Sequence, residues 1–541
     1  MNRNPQYDYA IPVLVQVDPE SMPFRGRRGA GALKSAAAYA ANLTARQIAV
    51  LANSQLIKRI TLDMPVKVNG RKVVREDHKS LPNMQPELET IGASQVRAEG
   101  HSGRGVTVAV FDSGIGFHPD LPHSRIKAAV DFTSGRAIEV NRNVDEYGHG
   151  TYVAGILGGA GSSSLGQFVG VAPEVRFVDL KVVNHDGVGN TSDLIRAIDW
   201  VIENKERLNI SLANFSVSHL PIESYKDSPL CDAVQRLVES GVISIASGGN
   251  MGKSERYSKI YGAIGSPGYS PAVITVSPVN TRGTVSHADD IATSYGSRGP
   301  TFADNLFKPD LTAPGNKIFS LLARGSRVGQ VADIETVAER YITLSGASAA
   351  TPFVAGTVAL MLEANPELNA NMAKAILLLS AVKLTNPDAF EQGNGLLNSY
   401  ASVKLAASID MSTREMKQPV SPVWYLRGEP VWAGGAYVAG QRLVYSPLAA
   451  ADRADGTLWG NGRDWNEYID STYRQLEADG VFWSDGIFWS DGVFWSDGVF
   501  WSDGIFWSDG VFWSDGIFWS DGVFWSDGVF WSDGIFWSDG V

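Results

Sequence analysis

The chain has 541 residues, 44% hydrophobic and 19% charged, with a formal net charge of −12. That length exceeds one ordinary core and suggests two to four units, and the composition is that of a globular protein. Ten C-terminal repeats carry one Asp each and no Lys or Arg, so −12 less −10 leaves −2 for the rest, which excludes the basic footprint of a nucleic-acid-binding protein.

The N-terminal stretch "MNRNPQYDYAIPVLVQVDPE" lacks a basic run followed by a long apolar one, so no secretory signal is read and the cytoplasm is expected over secretion. No uninterrupted apolar stretch of about 20 residues occurs, and no membrane span is expected. Cys231 is the one cysteine. It cannot form an intrachain disulfide and reads as a small buried apolar residue.

Residues 10–74 read as a small α+β unit. "AIPVLVQVD" has strand character. "LTARQIAVLANSQ" has helical spacing at Leu43, Ile48, Leu51 and Leu56. "RITLDMPVKVNGRKVV" alternates at Ile60, Leu62, Met64, Val66 and Val68, then carries a hairpin signal at Asn69-Gly70. Residues 75–90 are polar and Pro-bearing, like a linker, and the unit with its linker is taken as 1–85.

Residues 91–408 alternate strands ("GVTVAVFD", "GVISIASGGN", "PAVITVSPV") with helices ("TSDLIRAIDWVIENK", "TPFVAGTVALMLEANP"). This predicts an α/β domain with a mainly parallel sheet and helices on both faces. Function in such sheets sits at the carboxyl ends of the strands. Residues 409–480 are aromatic, Gly- and Pro-rich and without helical period, so they read as irregular or short-stranded. Residues 481–541 hold the repeat [VI]FWSDG.

Three segments lie at element boundaries. "VAVFDSGIGFHPDL" places Asp112 at a strand end, "DEYGHGTYVAGILGG" places His149 between glycines at a helix start, and "LSGASAATPFVAGTVALML" places Ser348 just before a long helix. Nucleophilic catalysis needs a hydroxyl, a base to take its proton, and a carboxylate to orient the base. Small residues around Ser348 would admit a substrate backbone, and the helix start would aim N–H groups at oxyanion charge. Singly, each has a bland reading: a turn former, a buried histidine, a helix cap. The order Asp, His, Ser with these flanks is far more specific.

Those three blocks resemble the signatures of the subtilisin-like serine peptidases, over about residues 91–408. The resemblance implies a three-layer domain, with Asp112 as orienter, His149 as general base and Ser348 as nucleophile. It places an oxyanion-hole asparagine on Asn250, in "ISIASGGNMG". It implies that Gly187-Val188-Gly189 and Ser216-Val217-Ser218 pair with an extended peptide as added strands. Protein or peptide substrates are the implied partners, and no cofactor is implied. The stretches expected to line the first pocket, "SVSH", "ASGGNM" and "GSPGYSP", hold no Asp or Glu, which tilts the preference to apolar or neutral side chains.

Departures are present. Tyr152 stands where the family usually has a second His, and Ala347 and Ala349 replace Thr and Met beside the nucleophile. "GAGSSSLGQFVGV" replaces the family's better-known calcium loop without a cluster of acidic or amide residues, so no metal is predicted there. The early α+β unit sits where the family carries a propeptide and is expected to be this chain's own inhibitory partner, with cleavage somewhere in 75–90. A permanently attached domain is the alternative.

The repeats divide best into a short extended "VFW" and an "SDG" turn. They could stack as a hexapeptide solenoid or stay disordered with sticky aromatics. They could also be a tolerated expansion, and their partners are unassigned. The leading reading is a serine endopeptidase. A non-catalytic peptide-binding relative and an adhesion or assembly protein driven by the tail are the alternatives.

Overall fold

The structure is a computed structural model. It describes residues 9–18, 32–68, 71–72, 85–254, 258–330, 336–337 and 340–408, and beyond these only short strands. The expected linker residues 75–84, the turn at 69–70, most of 409–480 and the Asp-Gly corners of the repeats lie outside the described residues.

The N-terminal unit contains β1 (Ile11–Val17), β2 (Ala32–Leu33), β3 (Ala38–Leu43), α1 (Ala45–Leu51), β4 (Ile57–Leu62), β5 (Pro65–Val68) and β6 (Arg71–Lys72). Its sheet has the order β2-β3-β1-β4. The antiparallel pairing sets Ile11 opposite Leu43 and Val13 opposite Leu62. A capping box starts α1. Thr44 Oγ1 accepts from the Gln47 amide, and the Gln47 side chain accepts from the Thr44 amide.

Next come α2 (Gln85–Thr90), α3 (Ala93–Ala98), β7 (Thr107–Asp112), β8 (Ile126–Asp131), β9 (Ile138–Val140), α4 (His149–Gly158), β10 (Arg176–Lys181) and β11 (Val188–Asn190). The chain continues through α5 (Thr191–Leu208), β12 (Ile210–Phe215), β13 (Val217–Ser218), α6 (Pro229–Glu239), β14 (Ile243–Ser247), β15 (Ile274–Asn280), β16 (Ile291–Ala292) and β17 (Leu311–Pro314). It closes with β18 (Ile318–Leu321), β19 (Thr336–Val337), β20 (Tyr341–Ser345), α7 (Ala347–Ala364), α8 (Ala370–Ser380), α9 (Ala389–Gln392) and α10 (Ser399–Ser408).

A nine-stranded sheet runs β16-β15-β14-β12-β7-β10-β8-β9, with β17 also on β15. Its interior pairs are parallel, and β9 and β16 are antiparallel at the ends. The sheet is therefore mixed, with a parallel interior. Alternate residues of β7 go to opposite faces, as a pleat requires. Val108 and Val110 pack in one apolar cluster with Val153 of α4 and Val354 of α7. Ala109 and Phe111 pack in another with Ile198 of α5 and Val234 of α6. Helix α7 is apolar all round because it is enclosed all round: residues 347–362 are buried.

The N-terminal sheet rests on α5 and α6. Leu14 and Leu33 join their apolar cluster. Asp199 of α5 accepts from the amides of Lys34 and Ser35 at 2.8 and 2.7 Å, Gln16 Nε2 donates to Asp232 at 2.9 Å, and Arg59 pairs with Asp227. The first amide groups of α5, which no helical carbonyl can satisfy, donate to this unit. Thr191 N reaches Met64 O at 2.9 Å, and Ser192 N reaches Asp63 Oδ1 at 2.8 Å.

The turn expected at Asn69-Gly70 lies outside the described residues, and the strands on either side of it pair with other elements rather than with each other. Strand β5 pairs with β11 and β13, and β6 pairs with β20. Alternation identifies a strand but not its partner, and here the following unit supplies open edges to both β5 and β6.

Among the residues after 408, Val423–Leu426 pairs with Glu429–Trp432 and Val444–Tyr445. In the repeats, Val481–Ser484 and its equivalents are strands. Each pairs in parallel with the strand three repeats on, Val481 opposite Val499 and Ile487 opposite Ile505.

Candidate active site

Three element ends converge at the carboxyl edge of the sheet. Strand β7 ends in Asp112, α4 begins with His149, and Ser348 is the second residue of α7. The glycines flanking His149 make this approach possible. Gly148 has φ 100°, in the left-handed region that favours glycine. A Cβ on Gly150 would lie 2.2 Å from the carbonyl oxygen of Gly114, so only glycine lets α4 start against the turn that follows β7.

Asp112, His149 and Ser348 are each 1% exposed. His149 Nδ1 lies 2.8 and 2.9 Å from the two carboxylate oxygens of Asp112. Its Nε2 lies 2.9 Å from Ser348 Oγ. This assigns the tautomer: Nδ1–H donates to Asp112, and Nε2 accepts from the Ser348 hydroxyl. A base is thus placed on the nucleophile and an orienter on the base. The Ser113 amide donates to Asp112 Oδ1 at 2.8 Å, fixing the carboxylate plane.

Two residues have structural roles here that the sequence reading did not assign. Asp145 is buried beneath the loop that carries His149. It accepts from Ser113 Oγ (2.7 Å), Gly148 N (2.6 Å), Thr151 N (2.8 Å) and Thr151 Oγ1 (2.6 Å). Burial pushes its carboxyl above the ordinary range, and these hydrogen bonds offset part of that. The signal was its place four residues before His149 in the same block. Tyr152 extends its hydroxyl to the carbonyls of Ile318 and Leu344, at 2.9 and 3.2 Å. It ties α4 to β18 and to the strand that leads into Ser348.

Asn250 follows β14, and its Oδ1 accepts from the Ala347 amide at 2.9 Å. That bond sets the carboxamide beside the start of α7, one residue from the Ser348 amide. Ser216 Oγ donates to the Ser348 carbonyl at 3.3 Å and accepts from Asn214 Nδ2 at 2.9 Å. Strands β11 and β13 flank β5. Val188 and Gly189 lie opposite Lys67 and Val66, Val217 and Ser218 lie opposite Val68 and Lys67, and the Gly187 carbonyl accepts from the Val68 amide at 3.2 Å. Asn190, opposite Pro65, extends the same edge and was missed because glycine marked the segment before it.

The loop after α4 is held by Asp120, whose Oδ1 accepts from Ser162 Oγ and the Ser163 amide at 2.8 and 2.7 Å. Among the described residues no group of three or more His, Cys, Asp or Glu is arranged to hold a metal. Cys231 is buried against Ile264 and Tyr269, and burial pushes its thiol up to about 12. It is poorly suited to act as a nucleophile. Asp179, in the middle of β10, is buried with neither carboxylate oxygen in hydrogen-bonding geometry among the described residues. The Ile115 amide and Asn143 side chain approach it closely enough to offset part of the burial, which still raises it to about 7.

Comparison with known proteins places this geometry. The sequence model of the subtilase family matches residues 103–400. The chain is 35% identical over 343 residues to the serine protease AprX of Bacillus subtilis, covering 62% of this chain and 74% of that one. It is 30% identical over 319 residues to subtilisin DY of Bacillus licheniformis, covering 59% of this chain and 97% of that one. It is also 30% identical over 363 residues to the subtilisin-like protease SBT6.1 of Arabidopsis thaliana, covering 63% and 30%.

Proposed function

The chain belongs to the subtilase family, and from that premise we propose how its residues divide the work of a serine endopeptidase. The carrying observation is the relay Asp112–His149–Ser348, closed at 2.8 and 2.9 Å in a buried setting. As Ser348 Oγ attacks a peptide carbonyl carbon, His149 Nε2 takes its proton. Asp112 holds the ring and stabilises the imidazolium that forms. His149 then gives the proton to the leaving amine. Water enters by the same route in reverse and releases the acyl group from Ser348.

Asn250 and the Ser348 amide are the donors for the tetrahedral oxyanion. Support comes from the Asn250–Ala347 bond, which fixes the carboxamide at the start of α7. Substrate lies extended between Gly187–Asn190 and Ser216–Ser218. The occupation of that slot by β5 supports this reading. The N-terminal unit is this chain's own inhibitor, because β5 fills the slot that a substrate needs.

The intact relay favours catalysis over a non-catalytic peptide binder. Tyr152 does not interrupt it, and the amide of Ala347 takes part in holding Asn250. Replacing Ser348 by Ala is expected to abolish hydrolysis of an unfolded protein substrate, a loss of at least about 10³-fold. Persistent hydrolysis by a homogeneous Ser348→Ala preparation would refute the assignment.

A further inference from the structure

Arg298 is 2% exposed, one of the largest side chains so enclosed among the described residues. Burying a guanidinium is costly unless its planar fork finds acceptors. Here the acceptors come from three separate segments. Nε donates to Glu391 Oε1 of α9 at 2.6 Å, Nη2 donates to the Thr293 carbonyl at 3.3 Å, and Nη1 donates to the Gly252 carbonyl. The division of labour given above for hydrolysis uses none of these groups.

Gly252 is two residues after Asn250. The backbone on both sides of Asn250 leans on the segment that carries Arg298. The Ser297 amide donates to the Gly249 carbonyl at 2.9 Å, the Met251 amide donates to Ser297 Oγ at 3.1 Å, and the Gly252 amide donates to the Tyr295 carbonyl at 2.9 Å. A Cβ on Gly252 would lie 1.8 Å from the Gly296 carbonyl oxygen and 2.6 Å from Arg298 Nη1, so this close approach requires glycine. The far end of the Asn250 side chain is already pinned, because its Oδ1 accepts from the Ala347 amide. With that oxygen held, the place of the backbone decides where the amide hydrogens point.

Glu391 gives the guanidinium a firm partner. It is 8% exposed, and its Oε2 accepts from the Asp388 amide at 3.1 Å in the capping box that starts α9. Lys259 Nζ also reaches its Oε1, at 2.8 Å. Burial would raise this carboxyl, but the hydrogen bonds from Lys259 and Arg298 hold it below the ordinary range. The backbone after Arg298 is tied to the same helix, since the Gly299 amide donates to the Phe390 carbonyl at 3.3 Å.

We propose that Arg298, anchored by Glu391, is a positioning residue for the oxyanion hole: through Gly252 it sets the direction in which Asn250 presents its amide hydrogens. The proposal rests on the peptidase reading with Asn250 as oxyanion donor. A lysine would not replace it, because a compact ammonium lacks the rigid fork that meets acceptors in fixed directions.

The test is a set of steady-state kinetics on one peptide, with rates expressed per titrated active serine. Arg298→Lys keeps the charge and loses the fork. Arg298→Met with Glu391→Gln removes both charges at similar volume, a change that buried ion pairs commonly tolerate. Each is expected to lower kcat by about tenfold with KM within about threefold. In an Asn250→Ala background the same changes should cost less than about twofold, because residues that act through one group are not additive. An equal loss in both backgrounds, a mainly KM effect, or failure of both variants to fold would make Arg298 a residue of the general architecture and overturn the proposal. Unchanged kcat in Asn250→Ala alone would remove the oxyanion reading beneath it. Wild-type protein that neither hydrolyses peptide nor reacts with an active-serine phosphonate would overturn the peptidase reading itself.

Discussion

Asp112, His149 and Ser348 were legible because three blocks in the order Asp, His, Ser, each with small flanks at an element boundary, are far more specific together than singly. The structure shows what the small flanks do, since Gly150 clears the Gly114 carbonyl and Gly148 takes the left-handed turn. Asn250 was reached only through the family resemblance, since an asparagine after two glycines also reads as a turn residue, and its bond to the Ala347 amide sets it beside the start of α7. Replacing Asn250 by Ala should lower kcat by about 10²–10³ with KM nearly unchanged, a figure that comes from a member of this family. Steady-state kinetics on one peptide will decide it, since a mainly KM effect would make Asn250 a binding residue. Asp145 was not read, because a carboxylate accepting four hydrogen bonds from Ser113, Gly148 and Thr151 leaves no periodic trace in sequence. Tyr152 read as a loss relative to the family, yet its hydroxyl bridges two strands.

At the scale of elements, the three strands of the main sheet that were read, β7, β14 and β15, were legible because apolar runs bounded by glycine or proline carry their own signal. Partner choice was not, and the Asn69-Gly70 region is the case in point. Alternation at Val66 and Val68 marks a strand, while the edge it joins is set by β11 and β13, more than a hundred residues away in sequence. Strand β11 can be tested directly. A Cβ on Gly189 would lie 1.9 Å from the Val182 carbonyl oxygen, so Gly189→Ala must displace β11 from the slot. The expected effect is a rise in KM of about tenfold or more for extended peptides. The rate of phosphonate labelling should stay within about threefold, because the triad is untouched. Equal loss in both measurements would mean that β11 supports the triad rather than the substrate.

At the scale of the whole molecule, the chemistry sits in one domain and the N-terminal unit lies across it. The ten aromatic repeats add strands paired three repeats apart. The tail supplies most of the net negative charge but no His, Cys, Lys or Arg, so the proposed catalysis requires nothing from it. Stability has its own titrating group in Asp179. Its folded-state value, raised to about 7, lies above that of an unfolded aspartate. The native state therefore binds the proton more tightly. This favours folding below about pH 4 and is lost as pH rises through about 7. Asp179→Asn should stabilise the protein at about pH 8.5 and do little at about pH 4, as read from urea unfolding at the two values. A difference independent of pH would contradict the assignment.

The central claim is that Ser348 is the nucleophile activated by His149. The most direct measurement is peptide mapping of the processed protein after reaction with an active-serine phosphonate, beside His149→Ala. The account predicts a single adduct on the peptide containing Ser348 and almost none in the variant. An adduct on another residue, or equal labelling without His149, would contradict it.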